Sequence, residues 1–98
     1  MSTDYIDQQL ERGFRLIPSH MHGGVKRYVL NGVPPGNFLR LLLENDFMAA
    51  AGHADEENQR ALWNWAVFLY NHVPGICRGS PERVVEWMGH GGAEGLPQ

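Results

Sequence analysis

The chain has 98 residues, of which 43% are hydrophobic and 19% charged, and its formal net charge is -3 with histidines neutral. These values are typical of one small globular domain and exclude an intrinsically disordered chain. They also argue against a protein that coats DNA or RNA non-specifically, because such proteins carry a basic face.

The sequence also indicates the cellular compartment of the protein. A single cysteine, Cys77, excludes an internal disulfide and favours a reducing environment. No apolar run reaches the roughly 18 residues that a membrane-spanning helix needs. The first residues, MSTDYIDQQLERG, lack the cationic and apolar segments of a signal peptide. We therefore expect a cytoplasmic protein without a membrane partner.

Glycines and prolines separate the predicted helices of the first half. Residues 3–12 are predicted to form a short helix, and residues 19–31 a second one. A third is predicted over residues 37–50, with an inward face made of Phe38, Leu41, Leu42, Met48 and Ala49. Asn45 falls within that face, and with Asp46 it is expected to bind the backbone of a turn; reading a base edge is the alternative.

The second half begins with a predicted central helix over Asp55–His72. The string Ser80-Pro81-Glu82 then provides a cap, a proline at the first helical position and an acid in the first turn. That last helix should run to Met88, with Val84, either Val85 or Met88, and part of Trp87 buried. We therefore predict an all-α protein, a compact bundle of four to five short helices, with an N-terminal arm or short helix (1–17), a helical domain (18–89) and a flexible tail (90–98).

The central helix carries more apolar surface than one core stripe requires. Trp63, Val67 and Tyr70 form a second stripe beside the core stripe, which comprises Leu62, Trp65, Ala66 and Leu69. A chain of this length has little material to cover both stripes. We therefore expect a homo-oligomer, or a ligand or partner that covers the second stripe.

The segment His20–Tyr28 is the candidate binding site. Gly23 and Gly24 would let a backbone or a flat ligand approach the helix; alternatively they only make room for the central helix. Lys26 and Arg27 suit a phosphate, and the ring of Tyr28 suits stacking on a base. The alternative is that both cations are solvated and have no role in binding.

Catalysis is not expected, because no GxSxG, HExxH, CxxC or P-loop pattern occurs. His20 and His22 point about 200° apart on a helix with no third ligand at a useful spacing, so no metal site is predicted. No residue is placed to pair with Cys77 as a nucleophile. The expected protein binds without a cofactor.

These residues also carry a family resemblance. The string HMHGGVKRYVLNGVPPGNFLRLLLENDFMAAAGHAD, followed by FLYNHVP and GSPERVVEW, resembles a family of small proteins from tailed phages and prophages. The family pattern is HM-x-GG-x-x-RY, then G-x-x-PG-x-FL, ND, FLYN-x-x-P and GS-x-x-x-V-x-x-W, and the match covers residues 18–88. Where the family has Arg in RAD-x-x-N, this chain has His53.

The resemblance implies phage origin and action in the cytoplasm of a bacterial host. Small accessory phage proteins of this kind counter host defence, some as oligomeric sponges for cyclic nucleotide signals such as cyclic GMP-AMP. Others bind and block a host defence protein, for example a CRISPR component, and the stripe of Trp63, Val67 and Tyr70 would then be the contact.

The leading hypothesis is therefore a non-enzymatic oligomer that captures a nucleotide signal, such as a cyclic dinucleotide, at a site shared with a neighbouring subunit. Lys26 and Arg27 would hold phosphates, Tyr28 and His22 would stack on bases, and Asn71 would hydrogen-bond a base edge.

Overall fold

The structure, a computed structural model, describes residues 3–96. Every regular element in this range is helical, which confirms the all-α prediction. The seven α-helices are α1 (Thr3–Gly13), α2 (His22–Asn31), α3 (Asn37–Leu43), α4 (Phe47–His53), α5 (Glu56–Arg60), α6 (Leu62–His72) and α7 (Pro81–Gly89), and short 3-10 turns cover Phe14–Leu16, Ser19–Met21, Gly75–Cys77 and Gly92–Gly95. None of the helices in this range is long and apolar enough to cross a bilayer.

The predicted third helix is two helices. Asn45 adopts a left-handed conformation with φ of 68°, which ends α3, and the Asp46 carboxylate caps α4 by accepting from the Ala49 N–H at 3.2 Å. Asn45 is therefore exposed rather than buried. Because the break rotates α4 relative to α3, the predicted inward position of Met48 is wrong, and its side chain is 87% exposed.

The predicted central helix is also interrupted, at Ala61, which separates α5 from α6. The Asp55 carboxylate caps α5 by accepting from the Asn58 N–H at 2.8 Å. In α6 the side chains of Trp65, Phe68 and Leu69 are buried, whereas Trp63 and Tyr70 are 78% and 72% exposed. The two apolar stripes of this helix are thus distinct: one faces the core and the other faces solvent.

Two aromatic residues connect distant parts of the core. The Tyr28 hydroxyl donates to the Cys77 carbonyl at 2.6 Å, and the indole N–H of Trp87 donates to the Tyr28 and Val29 carbonyls at 3.2 and 3.1 Å. Trp87 is fully buried, although only partial burial was predicted. These bonds join α7 and the segment before it to α2 and satisfy the polar atoms of two large buried rings.

Both chain ends are part of the packed structure as far as it is described. Helix α1 buries Ile6 and Leu10, and the His72 ring donates from Nδ1 to the Gln9 carbonyl at 3.0 Å. In the predicted flexible tail, Ala93 is buried and the Gly92 backbone lies against that of Gly32, so residues 90–96 pack on α2. Residues 97–98 of the predicted tail, and residues 1–2 of the predicted arm, lie outside the described residues.

The buried Cys77 thiol and Tyr28 hydroxyl predict a loss of stability in alkali. Burial raises the pKa of Cys77 from 9.0 to about 12, and burial also raises the pKa of Tyr28 above its ordinary value of 10.0. Between the unfolded and folded pKa values the unfolded chain has lost protons that the folded chain keeps, so the free energy of unfolding falls as pH rises. We expect urea unfolding to show this decline from about pH 9 upward, with a shallower slope in Cys77→Ala. An unfolding free energy that stays constant to about pH 11 would contradict it.

Candidate functional site

A groove of about 380 Å³ lies where the start of α2, the loop before α3 and the α4–α5 junction meet. The third segment is distant in sequence from the first two, and the side chains of all three provide both polar and apolar surface. The polar lining residues are His20, Arg27, Asn37, His53, Asp55 and Asn58. We refer to this site as the Arg27 groove.

The apolar side of the Arg27 groove is held in a fixed shape. Val33, Pro34 and Pro35 form one wall, and prolines restrict the backbone there. Phe38 lies next to them, and its ring packs edge-on against Trp65 with centroids 5.6 Å apart. Because Trp65 is completely buried, this wall is anchored to the core rather than carried on a mobile loop.

Arg27 is the unpaired cation of the groove. Six of the eight Lys and Arg side chains donate to a carboxylate or a carbonyl within residues 3–96, whereas the charged groups of Arg12 and Arg27 have no such partner there. Arg12 does not line the groove. The Arg27 guanidinium is therefore free to bind an anion that enters.

The Gly23-Gly24 pair explains how Arg27 is positioned. The guanidinium lies back over the helix, so a Cβ added at Gly23 would be 2.9 Å from Arg27 Nη1. A Cβ added at Gly24 would meet one atom within 4 Å, Arg27 Nη2 at 3.9 Å. The alternative that Gly24 makes room for the central helix is therefore wrong; the space beside the pair belongs to Arg27.

This geometry predicts opposite effects of Gly23→Ala on stability and on binding. Alanine is favoured over glycine within a helix by up to about 1 kcal/mol, so the free energy of unfolding should rise or stay unchanged. The new methyl group must displace the guanidinium, so affinity for an anionic ligand should fall. Gly24→Ala is the matched control, since its methyl group makes an ordinary contact. Equal ligand affinities of the two variants, measured by calorimetry, would contradict the assignment.

Asp55 and His20 are hydrogen-bonded to each other at the edge of the groove. His20 Nε2 donates to Asp55 Oδ2 at 2.9 Å, and His20 Nδ1 lies 3.9 Å from Glu57 Oε1. The Asn58 backbone N–H, and then His20, hold the pKa of Asp55 below its usual range. The Asp55 carboxylate is therefore ionised at neutral pH and already has partners.

Asn58 was not predicted as a site residue. It is the buried polar residue of the described chain, and its side-chain oxygen accepts the Trp65 indole N–H at 2.9 Å. Asn58 precedes Trp65 by seven residues, so both lie on one face of a continuous helical pattern. That spacing could have identified Asn58 as inward-facing despite the break at Ala61.

Two predicted ligand residues, His22 and Lys26, have structural partners instead. The His22 ring stacks on Phe14 with centroids 4.2 Å apart, and its Nε2 donates to the Phe14 and Ile17 carbonyls at 2.8 and 3.1 Å. Lys26 Nζ lies 3.1 Å from Asp7 Oδ1 and 2.8 Å from Glu11 Oε1. Both side chains therefore attach α2 to the preceding part of the chain.

The other two predicted residues also lie away from the groove. Tyr28 is completely buried, so it is a core residue and offers no ring face for a base to stack on. Asn71 is exposed on α6, where its amide donates to the Val67 carbonyl at 3.0 Å. Of the five predicted ligand residues, Arg27 is the one that lines the groove.

The groove does collect three of the strings that carry the family resemblance. The string HM-x-GG-x-x-R provides His20, Met21, Gly24 and Arg27, and the string G-x-x-PG-x-FL provides residues 33–39. The position of RAD-x-x-N, where this chain begins with His53, provides His53, Asp55 and Asn58. Among residues 3–96, no three His, Cys, Asp or Glu side chains are grouped so that they could hold a metal ion.

Comparisons with protein-family models, curated proteins and solved structures find no match to this chain. The resemblance to small phage proteins therefore stays a prediction, and the functional argument has to come from the geometry of the groove.

Proposed function

We propose that this chain is a non-enzymatic binding protein that captures a small anionic nucleotide in the Arg27 groove. The observation that supports the proposal is an unpaired guanidinium beside a fixed apolar wall in a cavity of about 380 Å³. In the phage setting that the resemblance implies, the ligand is a cyclic dinucleotide defence signal such as cyclic GMP-AMP, and the protein acts as a sponge in the host cytoplasm.

Arg27 determines the charge of the preferred ligand. A guanidinium offers a planar fork of N–H donors that matches two phosphate oxygens, and it keeps its charge at any physiological pH. The negative charge of Asp55 lies in the same groove but is shared with His20 and the Asn58 N–H. An incoming phosphate therefore finds one cation without a competing internal partner.

The wall of the groove determines the rest of the ligand. Val33, Pro34 and Pro35 present apolar surface against which a flat ring can pack, and the Asn37 amide at the start of α3 lies within the same lining. The cavity volume is within the ~300–1,000 Å³ that is usual for small-molecule sites. A phosphate joined to an aromatic base matches both halves of the groove better than phosphate alone.

Calorimetry with cyclic mono-, di- and trinucleotides tests the proposal. We expect heat and a thermal shift with at least one cyclic dinucleotide, and about 10- to 100-fold weaker binding in Arg27→Gln, the range for loss of a charge-assisted hydrogen bond. Arg12→Gln is the matched control, because Arg12 is also unpaired but lies outside the groove.

Several outcomes would overturn the proposal. Absence of heat and thermal shift with every nucleotide in the panel would do so, as would equal affinities for Arg27→Gln and Arg12→Gln. Equal affinities for inorganic phosphate and for the nucleotide would show that the apolar wall does not contribute to binding.

A further inference from the structure

The outer face of α6 is an apolar surface without cover. Trp63 and Tyr70 are 78% and 72% exposed, and the half-buried Val67 lies between them. Residues three, four and seven apart share one face of a helix, so these side chains form one continuous strip about 10 Å long. We refer to it as the α6 face.

A depression of about 160 Å³ lies beside the Tyr70 end of the α6 face. Leu42, Phe47, Ala66 and Leu69 provide its apolar lining. Arg78, which also lines it, donates to the Val73 and Tyr70 carbonyls at 3.3 and 3.4 Å. The face therefore presents a projecting indole at one end and an apolar recess at the other.

We propose that a second copy of this chain covers the α6 face, with the two α6 helices antiparallel around a twofold axis at Ala66–Val67. Position 63 and position 70 are equidistant from that axis, so the rotation places Trp63 of each copy against Tyr70 and the depression of the other. In an isologous contact of this kind, a projection and a recess on the same face complement each other.

The charge of the helix favours a second copy over a different partner. Leu62–His72 contains no Asp, Glu, Lys or Arg, and the residues that flank the face are Asn64 and Asn71. A twofold axis brings each side chain close to its own duplicate or to a neighbour's duplicate, so a charged face would repel itself. This face is neutral and can pair with itself, and the guanidinium of Arg78 in the adjacent depression already donates to the Val73 and Tyr70 carbonyls.

The two exposed aromatic side chains supply the apolar centre of the area that a dimer needs. At their observed exposures of 78% and 72%, Trp63 and Tyr70 would bury roughly 225–375 Å² of apolar surface per copy, judged from the 150–250 Å² that buried aromatic side chains cover. A standard interface buries about 800 Å² per partner. Phe47, which is partly exposed beside the depression, and the two asparagines extend the contact toward that value.

Sedimentation equilibrium of the full chain tests the association. We expect a concentration-dependent dimer whose dissociation constant rises at least about 30-fold in Trp63→Glu, as for an aromatic hot spot that fills a recess of the other copy. Val85→Glu is the matched control, because Val85 is exposed on α7 and does not line the depression. Circular dichroism and nucleotide calorimetry of Trp63→Glu separate loss of the dimer from loss of the fold or of the Arg27 groove.

Cross-linking tests the register. Val67→Cys lies next to the axis, so mild oxidation should convert it to a disulfide-linked dimer, whereas Val85→Cys should remain monomeric on a denaturing gel. The buried Cys77 does not compete. A monomer at all concentrations, a dimer that Trp63→Glu leaves intact, or a Val67→Cys variant that does not cross-link would each overturn the proposal. A monomer that binds a different protein through Trp63 would point to a host partner instead.

Discussion

Replacing Trp65 with alanine is expected to lower the free energy of unfolding by about 3–5 kcal/mol, the range for a large buried aromatic residue. The indole is completely buried and packs edge-on against Phe38 and Phe68. Its removal leaves a cavity and also deprives the buried Asn58 side-chain oxygen of its donor. Small domains have a total stability of about 5–15 kcal/mol, so this loss is a large fraction of the total.

Urea unfolding of Trp65→Ala beside Trp63→Ala measures this effect with a matched control. Both changes remove a tryptophan from α6, but Trp63 is exposed, so its replacement should change the free energy of unfolding by less than about 0.5 kcal/mol when both are compared as monomers. Similar losses in the two variants would show that the opposite orientations of these side chains are not as described. Trp65→Phe should fall between them, since it keeps most of the packing and loses the bond to Asn58.

The second large effect is expected at Gly92, where alanine should destabilise the fold by at least about 2 kcal/mol. Gly92 has φ of 71°, a conformation that costs an L-residue about 1–2 kcal/mol. An added Cβ would also lie 2.5 Å from the Gly32 backbone nitrogen and 2.7 Å from that of Asn31. Both are backbone atoms of a capped helix end and cannot move aside as a flexible side chain can.

Gly89→Ala is the control for that experiment, because a Cβ at Gly89 meets nothing within 4 Å. Thermal unfolding gives the stability of each variant, and limited proteolysis reports whether the segment after α7 has separated from α2. Gly92→Ala should lose stability and expose that segment, whereas Gly89→Ala should resemble the unchanged chain. A Gly92→Ala protein with unaltered stability and protease resistance would contradict the close backbone contact.

Helices with a clear cap or a clear apolar face could be predicted from the sequence. Ser80 and Pro81 fixed the start of α7, and the Ser80 hydroxyl accepts from the Arg83 N–H at 3.2 Å. In α1, Ile6 and Leu10 are four residues apart, as an inward helix face requires, and both are buried. In each of these cases the signal is local, so no knowledge of distant contacts was needed.

The two helix breaks could not be predicted because the apolar pattern continues through them. Asn45 is tolerated in a left-handed conformation more readily than most residues, but nothing in the sequence required it to adopt one. Ala61 is a strong helix former, and its place at the α5–α6 junction contradicts its intrinsic preference. Local preference therefore does not set either position.

The candidate site was only partly predictable for a related reason. Lys26 and Arg27 are adjacent in sequence, but successive helix positions diverge by about 100°, so one cation reaches α1 and the other lines the groove. Tyr28 shares the inward face with Val25 and Val29, and this periodicity was a better guide than its chemical suitability for stacking. The residues that line the groove with Arg27 include His53, Asp55 and Asn58, which lie more than 20 positions further along the chain, and no local pattern indicates that they meet.

The three tryptophans occupy opposite environments, which gives the molecule two separate optical reporters. Trp65 and Trp87 are buried, so their fluorescence should be emitted at short wavelength and should not be quenched by iodide. Trp63 is exposed to solvent, so iodide can reach it. A collisional quencher should therefore extinguish one spectral component and spare the other. If the quencher reduces the Trp63 emission less as the protein concentration rises, Trp63 is being covered by another molecule. This measurement needs no added label.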